Sequence, residues 1–169
     1  MTSVHSYHVA GKFRHLDRLV FLFVGYGGKT PLIEQAITLD KLSSIVFATR
    51  QPREMLGAML ACADATVIAF EEEMLGISVP SRMYNVMSAA TPIIAMADPK
   101  SELSLCVAES DSGWVVPAGD REMLQTIIET IARDPQAAKS LEKGRNGRIS
   151  VQAHYTLKAI LRESCKVLS

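Results

Sequence analysis

The sequence lacks the features that mark several specialised classes of protein. No apolar run reaches the roughly 20 residues needed to cross a bilayer, so no transmembrane segment is predicted. Residues 1–11 have no basic stretch followed by an apolar one and do not resemble a secretory signal. The 18 basic and 18 acidic side chains cancel, which argues against a nucleic-acid partner because general nucleic-acid binders carry a basic excess.

Cysteine is scarce and scattered. The three cysteines, Cys62, Cys106 and Cys165, are odd in number and form no CxxC pair, so no disulfide framework is expected. The four histidines do not cluster with them, so the sequence predicts no zinc site. This pattern is typical of a reducing compartment, and we expect a cytoplasmic protein.

What the chain does contain is a regular alternation of two patterns. Apolar residues make up 48% of the 169 residues, enough for one folded domain. Short apolar runs predict strands at 19–24, 45–47, 65–70, 92–96 and 114–116, the first of them buried on both faces. Helical patterns follow them, with starts near Thr30, Pro52, Pro80, Ser101 and Asp120, and two late helices span about 135–153 and 156–168.

This alternation predicts an α/β fold, a Rossmann-like doubly wound parallel sheet with helices on both faces. Inward-facing side chains are expected at helical spacing. They are Met55, Met59 and Leu60 in the second helix, Met83, Val86, Met87 and Ala90 in the third, Leu103, Leu105 and Val107 in the fourth, and Leu124, Ile127, Ile128 and Ile131 in the fifth. Ligands of such sheets bind at the carboxyl ends of the strands, so the loops there are the place to seek function.

Two of these loops carry polar groups with alternative interpretations. The first, 25–31, contains Gly27 and Lys29, and it is either a tight strand-to-helix turn or a phosphate cradle without the P-loop spacing. The second places Arg50 after a strand, where its guanidinium either is solvated or binds a phosphate or a base edge.

The segment 70–95 is the most informative. Backbone amides at Gly76, Ile77 and Ser78, together with the start of the helix opening at Pro80, suit a diphosphate. Arg82 on the first turn offers a counter-charge, and Asn85, three residues on along the same face, can bond a ribose hydroxyl. The neighbouring run Glu71–Glu73 is interpreted as a solvated charged face.

These residues carry a family resemblance. PSRMYNVMSAATPIIAMADPKSEL, then SGWVVPAGD and RNGR, resemble the carboxyl-terminal domain of retaining GT-B glycosyltransferases of the family-4 type, in the style of bacterial polysaccharide and O-antigen enzymes. FLFVGYGGKTPLIE and ATRQPREML match earlier strand–loop segments of that family, so the resemblance covers about 21–168.

The resemblance implies a domain that binds a UDP- or GDP-sugar donor, in an enzyme that transfers the sugar with retention, without a metal or other cofactor. It implies that Gly76, Ile77 and Ser78 face the donor phosphates or sugar, with Arg50 near the base or phosphates and Glu102 lining the cleft. It implies a parent enzyme at the inner face of the plasma membrane, acting on a glycan or a lipid-linked acceptor.

Some family features are missing. The ribose-binding acidic residue is replaced by Asn85, and a glycine before the next strand is replaced by Ala90. The amino-terminal acceptor domain, which in the family carries the catalytic histidine, is not recognised, so we assign no catalytic residue. The first, central strand of the donor domain is not recognised either. We expect residues 1–18 to be an irregular lead or a substitute strand (Val4–Ala10), and 19–169 to be the nucleotide-sugar-binding domain of a fragment or half enzyme.

Three functions follow from this comparison. The chain is a donor-binding half that is inactive alone, or a non-catalytic interaction or assembly module of the same fold, or a related nucleotide-sugar epimerase. Without its central strand the sheet would expose two unpaired edges, which favours a homo-oligomer or another partner chain. The epimerase requires acidic and histidine residues in both halves, and this chain offers few.

Overall fold

The computed structural model describes residues 19–25, 30–31, 35, 44–70, 81–134 and 138–155. Within these ranges five strands and five helices have defined bounds. The strands are β1 (Phe21–Val24), β2 (Ile45–Ala48), β3 (Thr66–Ala69), β4 (Ile93–Met96) and β5 (Gly113–Val116). The helices are α1 (Leu56–Ala61, preceded by a 3-10 turn at Arg53–Met55), α2 (Ser81–Ser88), α3 (Glu102–Glu109), α4 (Arg121–Arg133) and α5 (Ala138–His154).

All strand pairs are parallel, as predicted. Strand β4 lies between β3 and β5, with Ile94 opposite Val67 on one side and Trp114 on the other. Strands β1 and β2 form a second ladder, and among the described strands β1 and β3 do not pair. The expected substitute strand at 4–10, and the lead 1–18 that contains it, lie outside the described residues.

Helices cover both faces of the three-stranded ladder, because alternate side chains of β4 point to opposite sides. Ile93 and Ala95 join a cluster with α2, α3 and α5, whereas Ile94 and Met96 join a cluster with α4. All four residues of β4 are buried, as expected of a central strand. The doubly wound arrangement predicted from the sequence is therefore confirmed.

The prediction that the first apolar run is buried on both faces was wrong. Phe21 packs against the α4 cluster, but Leu22 and Val24 on the other face are 55% and 40% exposed. Val46, the partner of Leu22 across the ladder, is 46% exposed. One apolar face of the two-stranded ladder is thus open to solvent.

Three predicted core positions were also wrong. Met55 is 50% exposed because it lies in the 3-10 turn before α1. Leu105 is 42% exposed because it lies on the opposite side of α3 from the buried Leu103 and Val107. Ala90 lies beyond the end of α2, with a left-handed φ of 57°.

Glycines bring α5 against the main body of the domain. A Cβ at Gly144 would lie 1.9 Å from the backbone oxygen of Ala90, and one at Gly147 would lie 3.0 Å from the Cβ of Ser112. Both glycines lie on the buried face of α5, with Ser140 and Val151. The helix therefore approaches closer to the turn after α2 than any residue with a side chain would allow.

The late helix predicted at 135–153 is observed as α5, whereas the one predicted at 156–168 lies outside the described residues. The helix predicted near 30–39 is described only at Thr30, Pro31 and Gln35, which are helical. No helix in the described ranges is both long and apolar enough to span a bilayer.

Candidate functional site

The carboxyl edge of the β3–β4–β5 ladder is built from short, well-bonded turns. Past the strand ends, the Phe70 amide donates to Met96 O (2.9 Å) and the Ala97 amide donates to Val116 O (3.0 Å). Because these bonds continue the ladder, they fix where each following loop leaves the sheet. The helices α2, α3 and α4 all begin on this side, as parallel topology requires.

The turn after β4 positions Glu102. The Lys100 amide donates to the Asp98 carboxylate (2.7 Å), and the Ser101 amide donates to Asp98 O (2.9 Å). The Ser101 hydroxyl then caps α3 by accepting from the Ser104 amide (3.2 Å). Glu102 follows on the first turn of α3, with its side chain exposed at the edge.

Arg82 and Asn85 lie on the neighbouring helix α2. Both are exposed, while Met83, Val86 and Met87 bury the opposite side, so the helix presents one apolar and one polar face. Arg82 is in the first turn, where the positive end of the helix dipole adds to its charge. The predicted burial of Met83, Val86 and Met87 on one side of this helix is confirmed.

Tyr84 of α2 packs against the same core cluster as Cys106 of α3. Burial raises the pKa of its phenol, and the nearby Cys106 and Glu102 raise that pKa further. Arg82 lies in the first turn of α2 and Glu102 in the first turn of α3, so both lie towards the carboxyl edge of the ladder, whereas Asn85 lies one turn further along α2.

Other predicted site residues are placed differently or not described. Arg50 is exposed just past the end of β2, in the other ladder. The remaining five, Gly27, Lys29, Gly76, Ile77 and Ser78, lie outside the described residues. Within the described ranges no group of three His, Cys, Asp or Glu side chains is arranged to hold a metal ion.

The sequence did not indicate a cluster just below this edge. The Tyr155 hydroxyl donates a hydrogen bond to the Cys106 sulfur, and the Tyr84 and Tyr155 rings lie 4.6 Å apart between centroids. Burial raises the pKa of Cys106, so its thiol is protonated and a poor nucleophile at neutral pH. Burial and the neighbouring Cys106 raise the pKa of Tyr155 to about 12. The cluster joins the end of α5 to α2 and α3.

This cluster predicts a specific loss of stability in alkali. Because the folded state holds the Tyr155 proton more tightly than the unfolded chain does, its contribution is complete below pH 10 and is lost as the pH rises towards 12. The thermal unfolding midpoint of Tyr155→Phe should therefore fall less steeply than that of the wild type over this range. Cys62→Ala, at an exposed thiol, is the control and should follow the wild type. Parallel profiles for all three proteins would contradict the assignment.

Comparison with known proteins places this fold in a family. The family model described as glycosyl transferases group 1 matches residues 6–148. The chain belongs to the group 1 glycosyl transferases. A probable glycosyltransferase of Pseudomonas aeruginosa, WbjE, is 29% identical over 115 residues, which are 68% of this chain and 29% of that protein.

Solved structures share the fold. Sucrose-phosphate synthase from Thermosynechococcus elongatus superposes with a TM-score of 0.74 and 24% identity, over 97% of this chain and 41% of that one. HepE of Anabaena, solved with UDP-glucose, superposes with a TM-score of 0.72 and 17% identity, over 99% and 46%. The Rossmann-like fold of a GT-B glycosyltransferase is thus confirmed, and the chain spans less than half the length of each of these proteins.

Proposed function

We propose that this chain is the donor-binding, carboxyl-terminal domain of a retaining GT-B glycosyltransferase. The observation that carries the proposal is that Arg82, Asn85 and Glu102 are exposed on α2 and α3, two helices that begin at the carboxyl edge of a parallel sheet in a group 1 glycosyl transferase. Ligands of parallel α/β sheets bind at this edge. The occurrence of UDP-glucose in a structure of the same fold supports a nucleotide-sugar as the ligand.

Each side chain has a defined role in this proposal. Arg82 pairs with the diphosphate, whose charge the start of α2 also favours. Asn85 bonds a ribose hydroxyl, and Glu102 accepts a bond from a hydroxyl of the sugar or ribose. Gly76, Ile77, Ser78 and Lys29 supply further phosphate contacts, with Gly27 allowing close approach and Arg50 reaching the base from the second ladder. No metal or other cofactor takes part.

The reaction would be transfer of the sugar to a glycan or lipid-linked acceptor of a bacterial polysaccharide, at the inner face of the plasma membrane. We propose that the acceptor site and the catalytic base belong to an amino-terminal domain. The described domain alone would then bind donor without turnover, because catalysis requires both reactants to be held together.

Calorimetric titration tests this function. UDP, GDP and their sugars are titrated into the protein, and one nucleotide series should bind. Arg82→Ala should weaken binding by roughly 10- to 100-fold, the usual effect of removing a charged hydrogen bond. Arg121→Ala, an exposed arginine on the first turn of α4, is the matched control and should bind like the wild type.

Asn85 offers a second, opposite test. Asn85→Glu should tighten nucleotide binding by a few-fold, because a carboxylate accepts a ribose bond more strongly than an amide does. Ser88→Glu places the same charge one turn further along the exposed side of α2 and should have little effect. Equal effects of the two variants would exclude a ribose contact at Asn85.

The open apolar face formed by Leu22, Val24 and Val46 favours the second candidate, an interaction or assembly module. If the chain is an assembly module, the protein folds and binds a partner chain or a second copy of itself. It then binds none of the nucleotides. Light scattering after gel filtration, combined with the titrations, separates the two functions.

A further inference from the structure

The outer side of α5 combines unpaired positive charge with exposed aliphatic side chains. The buried face of this helix is formed by small residues and Val151, as described above. On the other side Leu141 is 54% exposed and Ile149 is 63% exposed. Arg145 and Arg148 are exposed between them, so at 100° per residue these four side chains share one side of the helix.

The charge on this side is not balanced within the domain. Arg145 and Arg148 are exposed on this side and only Glu142 opposes them. In the part of the chain that the structure describes, neither arginine makes a salt bridge or a side-chain hydrogen bond. Helix α4 differs, since its Arg133 pairs with Glu129 (3.3 Å) and its charges cancel.

We propose that the outer side of α5 docks on an anionic membrane surface. The exposed side chains match both the headgroup layer and the acyl layer of such a surface. Arginine guanidinium groups attract acidic headgroups and remain in their plane, while Leu141 and Ile149 reach the acyl boundary. A soluble polyanion would use the two arginines but would gain nothing from the two aliphatic side chains.

The position of the helix fits this role. Its inner side is held by Gly144 and Gly147 against the rest of the domain, so the outer side faces away from the core. Docking would therefore need no rearrangement. The expected binding is weak and sensitive to salt, because it rests on a few charges and two side chains.

Vesicle co-sedimentation of the full chain without nucleotide tests this proposal independently of donor binding. The protein should sediment with phosphatidylcholine vesicles that contain phosphatidylglycerol, and not with phosphatidylcholine alone. Arg145→Gln with Arg148→Gln should reduce the partition coefficient by about 25-fold, at about fivefold for each arginine. The matched control is Arg121→Gln with Arg133→Gln, which changes the net charge equally and should keep the partition coefficient within about twofold of wild type.

A second pair of variants tests the apolar contact. Leu141→Ser with Ile149→Ser should lower the partition coefficient several-fold, whereas Leu105→Ser with Met123→Ser, two exposed side chains elsewhere, should leave it unchanged. No binding to acidic vesicles, equal losses in a test pair and its control, or full binding by the arginine double variant would each overturn the proposal. So would binding of the same arginines to nucleic acid without any binding to vesicles.

Discussion

Gly144→Ala is expected to lower the free energy of unfolding by about 3 kcal/mol or more, the upper part of the range for overpacking. The added Cβ would lie 1.9 Å from the Ala90 oxygen, a backbone atom that cannot rotate away. Helix α5 would have to move outward and lose contact with α2 and β5. For a chain of this length the thermal midpoint should fall by roughly 6 to 12 °C.

Gly57→Ala is the matched control for this substitution. Gly57 lies in helix α1, and a Cβ there would meet nothing within 4 Å. Alanine should therefore raise stability by roughly 0.5 to 1 kcal/mol, because glycine costs backbone entropy in a helix. Equal urea midpoints for the two variants would contradict the close packing of α5 at Gly144 against Ala90.

Leu103→Ala should cost about 2 to 5 kcal/mol, the range for deleting a fully buried leucine. Leu103 is 0% exposed and belongs to the cluster in which α2, α3 and α5 meet β4. The cavity would lie among side chains from four elements, which cannot all close around it. Urea unfolding followed by circular dichroism measures the change.

Leu105→Ala provides the comparison on the same helix. Its side chain is 42% exposed, so the same truncation should cost less than about 1 kcal/mol. Similar losses for the two leucines would mean that α3 does not present the face described here.

Much of the fold could be predicted because burial leaves a strong pattern in the sequence. The observed strands lie within one or two residues of the apolar runs, and Asp120 caps α4 as expected, its carboxylate accepting from the Met123 amide (2.9 Å). The stripe of Leu124, Ile127 and Ile128 is buried. These features depend on neighbours in the chain, so a local pattern is enough to find them.

The error at the first strand arose because its burial depends on distant parts of the chain. An apolar strand such as Leu22–Val24 has the same sequence pattern whether one face or both are covered. The alternation of Leu103, Leu105 and Val107 in a helix buries only the two positions four residues apart. The close approach at Gly144 depends on Ala90, 54 positions earlier, and no local pattern records it.

The candidate site shows the same division. Arg82 and Asn85 could be placed together because they lie on one short helix, and Glu102 because its helix begins at the same edge. The Tyr155–Cys106 contact could not be foreseen, because it joins helices 49 residues apart in the chain.

The turn after α2 holds Ala90 at a φ of 57°, a conformation that alanine adopts at a cost of about 1 to 2 kcal/mol. Glycine would accept that conformation freely. Ala90→Gly should therefore stabilise the protein and raise its melting temperature by a few degrees. Removal of the Ala90 methyl group is therefore a substitution by which the stability of this domain can be increased.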